Sequence, residues 1–217
     1  PENRRPLSER GRRFSAERTG FPMAKIAVVF HSVCGNTYLI AKCFTDYLKD
    51  QGQDVTLYRV KDDTFAETSL RFESSREYRE EILSLPIAGS GKDFTDVDAL
   101  FLGSPTYYGC VSAQMKAFMD SFCDIWVEAR MAGKFFGCFA TSGSLVGGVE
   151  LCMQVMNTFA QHMGMVNLSV PCSIQGPEQP AYGVSHVSGP MSDLRPTEDT
   201  ALAVRSYLDF ALRIINR

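Results

Sequence analysis

Short apolar runs alternate along the chain with longer stretches in which apolar residues recur every three or four positions. Runs rich in Val, Phe and Leu that end at polar loops are typical of strands buried on both faces of a parallel sheet. The three-to-four spacing is typical of helices that bury one face. The pattern predicts strands at 25–31, 55–60, 99–103, 135–140 and 165–170.

Helices are expected between these strands. Their apolar stripes run over 37–50, over 115–126, from 151 to about 164, and over 197–216. Alternation of strands and helices implies right-handed crossovers and a sheet covered on both faces. The fold class predicted is therefore α/β, a flavodoxin-like, doubly wound, five-stranded parallel sheet of order 2-1-3-4-5 with helices on both faces.

Two connections are longer than this scheme requires. Residues 61–95 are polar and hold one expected short helix near 75–85, so they form a crossover that could shape the rim of a site. Residues 172–195 are dense in Pro, Gly and Ser, which indicates a functional loop over the site.

The length fits one domain, assigned to residues 23–217, preceded by a leader at 1–22. The leader holds six arginines and three glutamates without apolar periodicity, and we expect it to be disordered or non-native. Subtracting its charge of +3 from the total of −3 leaves −6 on the domain. An acidic domain without a basic stripe argues against nucleic acid as a partner.

The remaining composition points to a soluble cytoplasmic protein. No apolar run approaches the roughly 18 residues of a membrane-spanning helix, so no membrane association is expected. The seven cysteines form no C-x-x-C pair, which favours reduced thiols. The three histidines are scattered, so no metal site is predicted.

Three loops at strand ends carry the candidate chemistry, and together they indicate a flavin mononucleotide (FMN) site, because ligands of such sheets bind outside the carboxyl ends of the strands. The first loop opens a helix, where backbone N–H groups and polar side chains can bind a phosphate. A plain capped turn would give the same pattern. This loop reads Ser32-Val33-Cys34-Gly35-Asn36-Thr37.

The second loop, Pro105-Thr106-Tyr107-Tyr108-Gly109, combines exposed amides with two aromatic rings, as a planar tricyclic ligand requires. The third, Thr141-Ser142-Gly143-Ser144 with the following Gly147, can bond ribityl hydroxyls and let backbone approach the ring. Paired tyrosines can also be half-buried packing, and the third segment can be an ordinary flexible loop.

Two further residues have competing interpretations. His162, near a helix end, could reach the pyrimidine side of a flavin or be structural. Trp126 falls on the apolar stripe of its helix, and spacing alone predicts that it lies in the core.

From 25 to the C-terminus, the chain resembles the tryptophan-repressor-binding-protein family of flavodoxin-fold NAD(P)H:quinone oxidoreductases. The resemblance is carried by the three loops and by four further motifs. These are Ser112-x-Gln114-Met115-Lys116, His162-Met163-Gly164-Met165, Tyr182-Gly183 and Ser188-Gly189 with Arg195-Pro196.

The resemblance implies FMN phosphate at the first loop, the isoalloxazine at the second, and further FMN contacts at the third and near His162. The resemblance also implies that Trp126 and Tyr108 contact the substrate, whereas spacing alone places Trp126 in the core. Members of the family are typically tetramers whose flavin sites are completed by neighbouring subunits, so a homotetramer or dimer is expected. The family often has an aromatic at the position of Cys34, which is associated with the nicotinamide cofactor, and its histidine aligns with His162 or Met163.

The function expected is FMN-dependent, two-electron reduction of quinones or similar planar acceptors by NAD(P)H. Flavin carries this chemistry, so no catalytic residue is assigned. An electron-carrier flavodoxin that passes single electrons between protein partners is the alternative. A receiver-like regulatory domain is disfavoured, because the first strand ends in Phe30-His31-Ser32 rather than in acidic residues.

Overall fold

A twisted parallel sheet forms the centre of the molecule in the computed structural model, which describes residues 23–217. The expectations for residues 1–22 fall outside the described residues. Five of the strands follow the order β2-β1-β3-β4-β5, and all pairings within the sheet are parallel. The predicted flavodoxin-like topology is confirmed.

The strands agree with the apolar runs, except at the fifth position. They are β1 Lys25–Phe30, β2 Asp54–Arg59, β3 Ala99–Pro105, β4 Phe135–Ser142, β5 Val166–Asn167 and β6 Val184–Val187. The helices are α1 Asn36–Asp50, α2 Phe65–Thr68, α3 Glu73–Arg76, α4 Arg79–Ser84, α5 Ala113–Asp120, α6 Cys123–Trp126, α7 Val149–His162 and α8 Glu198–Ile215, with a 3-10 turn at Gly91–Phe94.

Two short strands share the place of the predicted fifth strand. Phe135 and Phe136 of β4 pair with β5, whereas the later residues of β4, from Phe139 onward, pair with β6. The strand predicted over 165–170 is therefore present but shorter, at Val166–Asn167, and the segment 172–195 predicted as a loop contains β6. Backbone pairing with β4, which local sequence does not reveal, decides where each strand begins.

Helices cover both faces of the sheet, as expected. One core cluster packs α5 and α7 against the sheet, and the other packs α1 and α8 against the opposite face. Fully buried Tyr207 of α8 donates a hydrogen bond of 2.7 Å to the carbonyl of Leu168, which fixes the chain just after β5.

Several helical expectations need correction. The stripe over 115–126 breaks at 121–122 into α5 and α6, and the turn directs Trp126 outward, so that it is 56% exposed. Spacing therefore placed Trp126 wrongly in the core. Leu151 opens the apolar stripe predicted from 151 to about 164, yet it is 64% exposed beside the second loop.

Within residues 23–217, no helix is both long and apolar enough to cross a membrane.

Candidate functional site

The three predicted loops converge at the carboxyl edge of the sheet and line one cavity. The first loop contributes Ser32, Val33, Cys34, Asn36 and Thr37; the second contributes Pro105, Thr106 and Tyr107; the third contributes Thr141, Ser142 and Gly143. Of the predicted cofactor residues, Gly35, Tyr108, Gly109, Ser144 and Gly147 belong to the same loops without lining the cavity. His162 lies elsewhere.

The first loop presents an uncapped helix end to the cavity. Gly35 precedes α1 with a φ of 90°, a left-handed conformation that favours glycine, and no side chain caps the helix. No acidic residue occupies the first turn. The first amide N–H groups of a helix have no partner within it, and the helix dipole makes this end positive. The loop is therefore chemically suited to an anion.

Side chains of the first loop reinforce its shape. Ser32 Oγ accepts a hydrogen bond of 3.1 Å from the Gly35 amide, and Thr37 Oγ1 lies 2.9 Å from Thr141 Oγ1 of the third loop. Burial raises the pKa of the Cys34 thiol, so it stays neutral where a thiolate would repel an anion.

The second loop is a tight turn. Tyr107 and Cys110 exchange two backbone hydrogen bonds of 2.9 and 3.0 Å around Tyr108 and Gly109, whose φ values are both positive, 52° and 76°. Two positive φ values at the centre are typical of a type I′ turn, and a tyrosine there is strained. The turn exposes the Tyr108 side chain fully and leaves Tyr107 45% exposed. Partial burial, together with nearby Cys34 and Asp62, raises the pKa of Tyr107.

The third loop is fixed to its neighbours on both sides. The Thr106 amide donates to the Thr141 carbonyl at 2.7 Å, and the Ser188 amide donates to the Ser142 carbonyl at 2.8 Å. A Cβ on Gly148 would lie 2.9 Å from the Gly109 Cα, so the second and third loops touch there. Gly147 closes a turn onto the Ser144 carbonyl at 3.0 Å.

A fourth segment, after β6, completes the cavity with Ser188 and Ser192. The Asn36 side-chain amide donates to the Ser192 carbonyl at 2.8 Å, which attaches this segment to the first loop. The sequence predicts a functional loop here, and Ser188 belongs to a motif of the family resemblance, but neither serine is among the predicted site residues. The Ser-rich composition was the available signal, and the parallel pairing of β6 brings it to the carboxyl edge.

A buried hydrogen-bonded pair beside the site was not predicted. His31 Nε2 lies 3.1 Å from Asp62 Oδ2, and the two side chains are only 3% and 4% exposed. The hydrogen bond from His31 holds the pKa of Asp62 well below its usual range, with further bonds from Thr64. The pair ties the end of β1 to the loop after β2, next to Tyr107. Sequence gives little signal for a contact between residues so far apart.

Trp126 and His162 lie together at the opposite, amino edge of the sheet. The indole Nε1 of Trp126 donates to the His162 carbonyl at 2.9 Å. Helix α7 has 14 residues and runs from the third loop to His162, a length of about 20 Å. Trp126 and His162 therefore lie far from the cavity of their own chain. The expected contacts of these two residues with the acceptor and with FMN are not formed within one chain.

The cavity residues fit FMN in their chemistry. Thr106 lines the cavity, and its Oγ1 is buried without a hydrogen-bonding partner, so a ligand atom could satisfy it. The uncapped end of α1 offers donors for a phosphate, and the exposed tyrosines offer flat apolar surface for a ring.

Comparisons with known proteins agree with this geometry. The family model described as NADPH-dependent FMN reductase matches residues 24–175. A protein of Archaeoglobus fulgidus named NAD(P)H dehydrogenase (quinone) is 34% identical over 179 residues, which are 82% of this chain and 90% of that protein. One of Geotalea daltonii with the same name is 30% identical, covering 83% of this chain and 91% of that protein.

Solved structures show the same fold. The flavodoxin WrbA-like protein from Agrobacterium tumefaciens superposes with a TM-score of 0.62 at 21% identity, over 88% of this chain and 97% of that chain. An archaeal flavodoxin gives 0.54 at 19% identity, over 88% and 98%. The resemblance inferred from sequence is confirmed at the level of the family.

Proposed function

We propose that this chain, which belongs to the NADPH-dependent FMN reductase family, binds FMN and uses it for the two-electron reduction of quinones or similar planar acceptors by NAD(P)H. The observation that carries the proposal is the uncapped, acid-free amino end of α1, which opens into a cavity flanked by exposed tyrosines. Related proteins of similar length named NAD(P)H dehydrogenase (quinone) support the choice of acceptor.

The phosphate is assigned to the first loop. Amides of residues 33, 34, 36 and 37 supply donors at the positive end of α1, and Ser32 and Thr37 also line the cavity and carry hydroxyls. The Asn36 side chain already bonds Ser192 and Arg195, so we assign it to closing the loop.

The flavin ring is assigned to the second loop, with ribityl contacts at the third. Tyr107 and Tyr108 supply aromatic surface, and unpartnered Thr106 Oγ1 supplies a hydrogen bond. Thr141, Ser142 and Gly143 line the adjoining wall. Bound FMN supplies the hydride chemistry, and the chain binds, orients and shields it.

The assigned roles of Trp126 and His162 require a second copy of the chain. Both residues lie at the amino edge, about one helix length from the cavity of their own chain. Leu145 and Val146, beside the third loop, are 86% and 94% exposed, which is typical of a surface that another subunit covers. We therefore propose a homo-oligomer, a dimer or tetramer, in which Trp126 of a neighbour contacts the acceptor.

The cellular setting proposed is the cytoplasm. All seven cysteines are free thiols, as a reducing compartment favours.

Two experiments test the proposal. The purified protein should show the visible absorption of oxidised flavin, and heating should release FMN rather than FAD. Steady-state kinetics with NADH and benzoquinone should give parallel double-reciprocal lines, because both substrates use one flavin face in turn. A colourless protein that does not take up added FMN, or intersecting lines, would contradict it.

A flavodoxin-type single-electron carrier is the second candidate, favoured by the acidic domain and by the fold shared with an archaeal flavodoxin. Redox titration of the FMN-loaded protein separates the two. A one-electron-reduced flavin that accumulates stably favours the carrier, and its absence favours the two-electron enzyme.

A further inference from the structure

Arg195 lies in the segment after β6 and bonds to two other parts of the chain, the first loop and the crossover 61–95. Its Nη1 donates to the Cys34 carbonyl at 2.5 Å and to Asn36 Oδ1 at 3.2 Å. Its Nη2 donates to the Ser74 carbonyl at 2.5 Å and forms an ion pair of 3.0 Å with Glu77. We call this set of contacts the Arg195 clamp, and it connects the first loop to the crossover and to the segment after β6.

The clamp sets the orientation of the Cys34–Gly35 peptide. Arg195, which is not among the cavity-lining residues, donates to the Cys34 carbonyl, so this carbonyl points towards the guanidinium. The amide of the same peptide unit, on Gly35, donates to Ser32 Oγ. A carbonyl oxygen that pointed into the cavity would repel an anion, whereas loop amides attract one.

Tyr78 holds the same peptide from the crossover side. The guanidinium of Arg195 lies 5.0 Å from the Tyr78 ring centroid, in a cation–π contact. A Cβ on Gly35 would lie 2.6 Å from Tyr78 Cδ2, so the tyrosine packs directly on the glycine. The hydrogen bond from Tyr78, with the charge of Arg195, lowers the pKa of Glu77 and keeps this partner ionised.

We propose that Arg195 is a positioning residue that makes the site selective for a phosphorylated flavin and couples phosphate binding to the order of the segment 74–78. The proposal rests on the proposed FMN site. Arg195 acts without touching the phosphate, by holding the first loop in its anion-binding conformation. Binding and loop order are reciprocally linked, so the phosphate should tighten the clamp in turn.

The test compares FMN with riboflavin, which lacks the phosphate. Dissociation constants for both are measured by flavin fluorescence on apoprotein of the wild type and of Arg195→Gln. We expect FMN binding to weaken at least about tenfold, because several charged hydrogen bonds are lost, and riboflavin binding to change less than about twofold. The control is Arg205→Gln, which removes a single ion pair with Glu198 on α8 and should alter neither constant.

The outcomes separate this proposal from the proposed function. Wild-type protein that does not bind FMN would overturn both. If the wild type binds FMN and Arg195→Gln prefers FMN over riboflavin by the same factor as the wild type does, only the role of Arg195 is overturned. Equal weakening of both flavins would also overturn it, because it would show a merely structural contribution.

If Arg195→Gln does not fold, a second variant and a second measurement still test the proposal. Arg195→Lys keeps the charge but not the forked geometry, so it should retain the fold and recover only part of the preference for FMN. FMN should slow tryptic cleavage after Arg76 and Arg79 in the wild type more than riboflavin does, and this difference should shrink in Arg195→Lys. Equal protection by the two flavins in the wild type would contradict the coupling.

Discussion

At the carboxyl edge of the sheet, buried polar side chains are bonded to one another across several chain segments, whereas at the amino edge Trp126 and His162 are exposed and share one hydrogen bond. Contacts within the chain itself fix the first edge, whereas the side chains of the second edge lie mostly on the surface. Under the proposed function, one chain holds the cofactor half of the site, and the acceptor half would be completed by a neighbouring copy.

The largest expected effect comes from breaking the buried pair at the carboxyl edge. Asp62→Ala should cost about 3–5 kcal/mol in the free energy of unfolding, because it removes several hydrogen bonds to a buried carboxylate and leaves His31 without its partner. Urea denaturation of the apoprotein measures this. Asp63→Asn is the control, since Asp63 is exposed and its ion pair with Lys61 should contribute little.

The same pair gives a dependence on pH. The pKa of Asp62 is lower in the folded than in the unfolded chain, so its stabilising contribution is present above about pH 4 and is lost as the pH falls towards the folded value. The difference in unfolding free energy between wild type and Asp62→Ala should therefore narrow below about pH 4. A difference that stays constant down to pH 2 would argue against an ionised Asp62.

A smaller effect is expected at the phosphate loop. Thr37→Val should weaken FMN binding by about 1–3 kcal/mol, because a charged phosphate loses one hydroxyl donor. Ser112→Ala is the matched control at the same edge: Ser112 caps α5 through the Met115 amide, so its loss should lower stability by about 1 kcal/mol and leave FMN binding unchanged. Unaltered FMN affinity in Thr37→Val would move the phosphate elsewhere.

Trp126→Ala tests the amino edge. We expect the KM for benzoquinone to rise about three- to tenfold with FMN content intact, because an aromatic contact to the acceptor is lost. Stability should fall by about 1 kcal/mol or less, since the side chain is more than half exposed and loses one hydrogen bond to the His162 carbonyl. Val127→Ala, a neighbouring exposed position, should leave the KM unchanged. An unaltered KM in Trp126→Ala would remove this edge from the site.

The smallest effect concerns the strained turn. Tyr108→Asn should raise the free energy of unfolding of the apoprotein by about 0.5–1 kcal/mol, because asparagine tolerates the left-handed conformation that Tyr108 adopts. Its fully exposed side chain contributes little packing to lose. A drop in the urea midpoint would show that Tyr108 stabilises the free protein.

Sequence predicted most of the carboxyl edge because its determinants are local. An apolar strand followed by glycine and small polar residues specifies both a strand end and an exposed backbone, as in 25–37. The pair of His31 with Asp62 and the contacts of Arg195 with Cys34 join residues far apart in the chain, and only the packed fold brings them together.

Two errors have local physical causes. Trp126 matched the helical stripe, but the turn at 121–122 changes the helix direction before it is reached. Strand β6 has the sequence Val184-Ser185-His186-Val187, which lies within a Gly- and Pro-rich segment and shows no alternation, and its pairing with β4 overrides that composition.

The division of the outer strand position between β5 and β6 constrains how copies of this chain can associate. A long, unpaired strand at a sheet edge is a template on which another sheet can add. Here that edge consists of pieces of two and four residues, separated by the excursion of 168–183. Continuation of the sheet from one subunit to the next is disfavoured on this side, so stable assemblies should form through helices and loops, and cross-sheet aggregation should be suppressed.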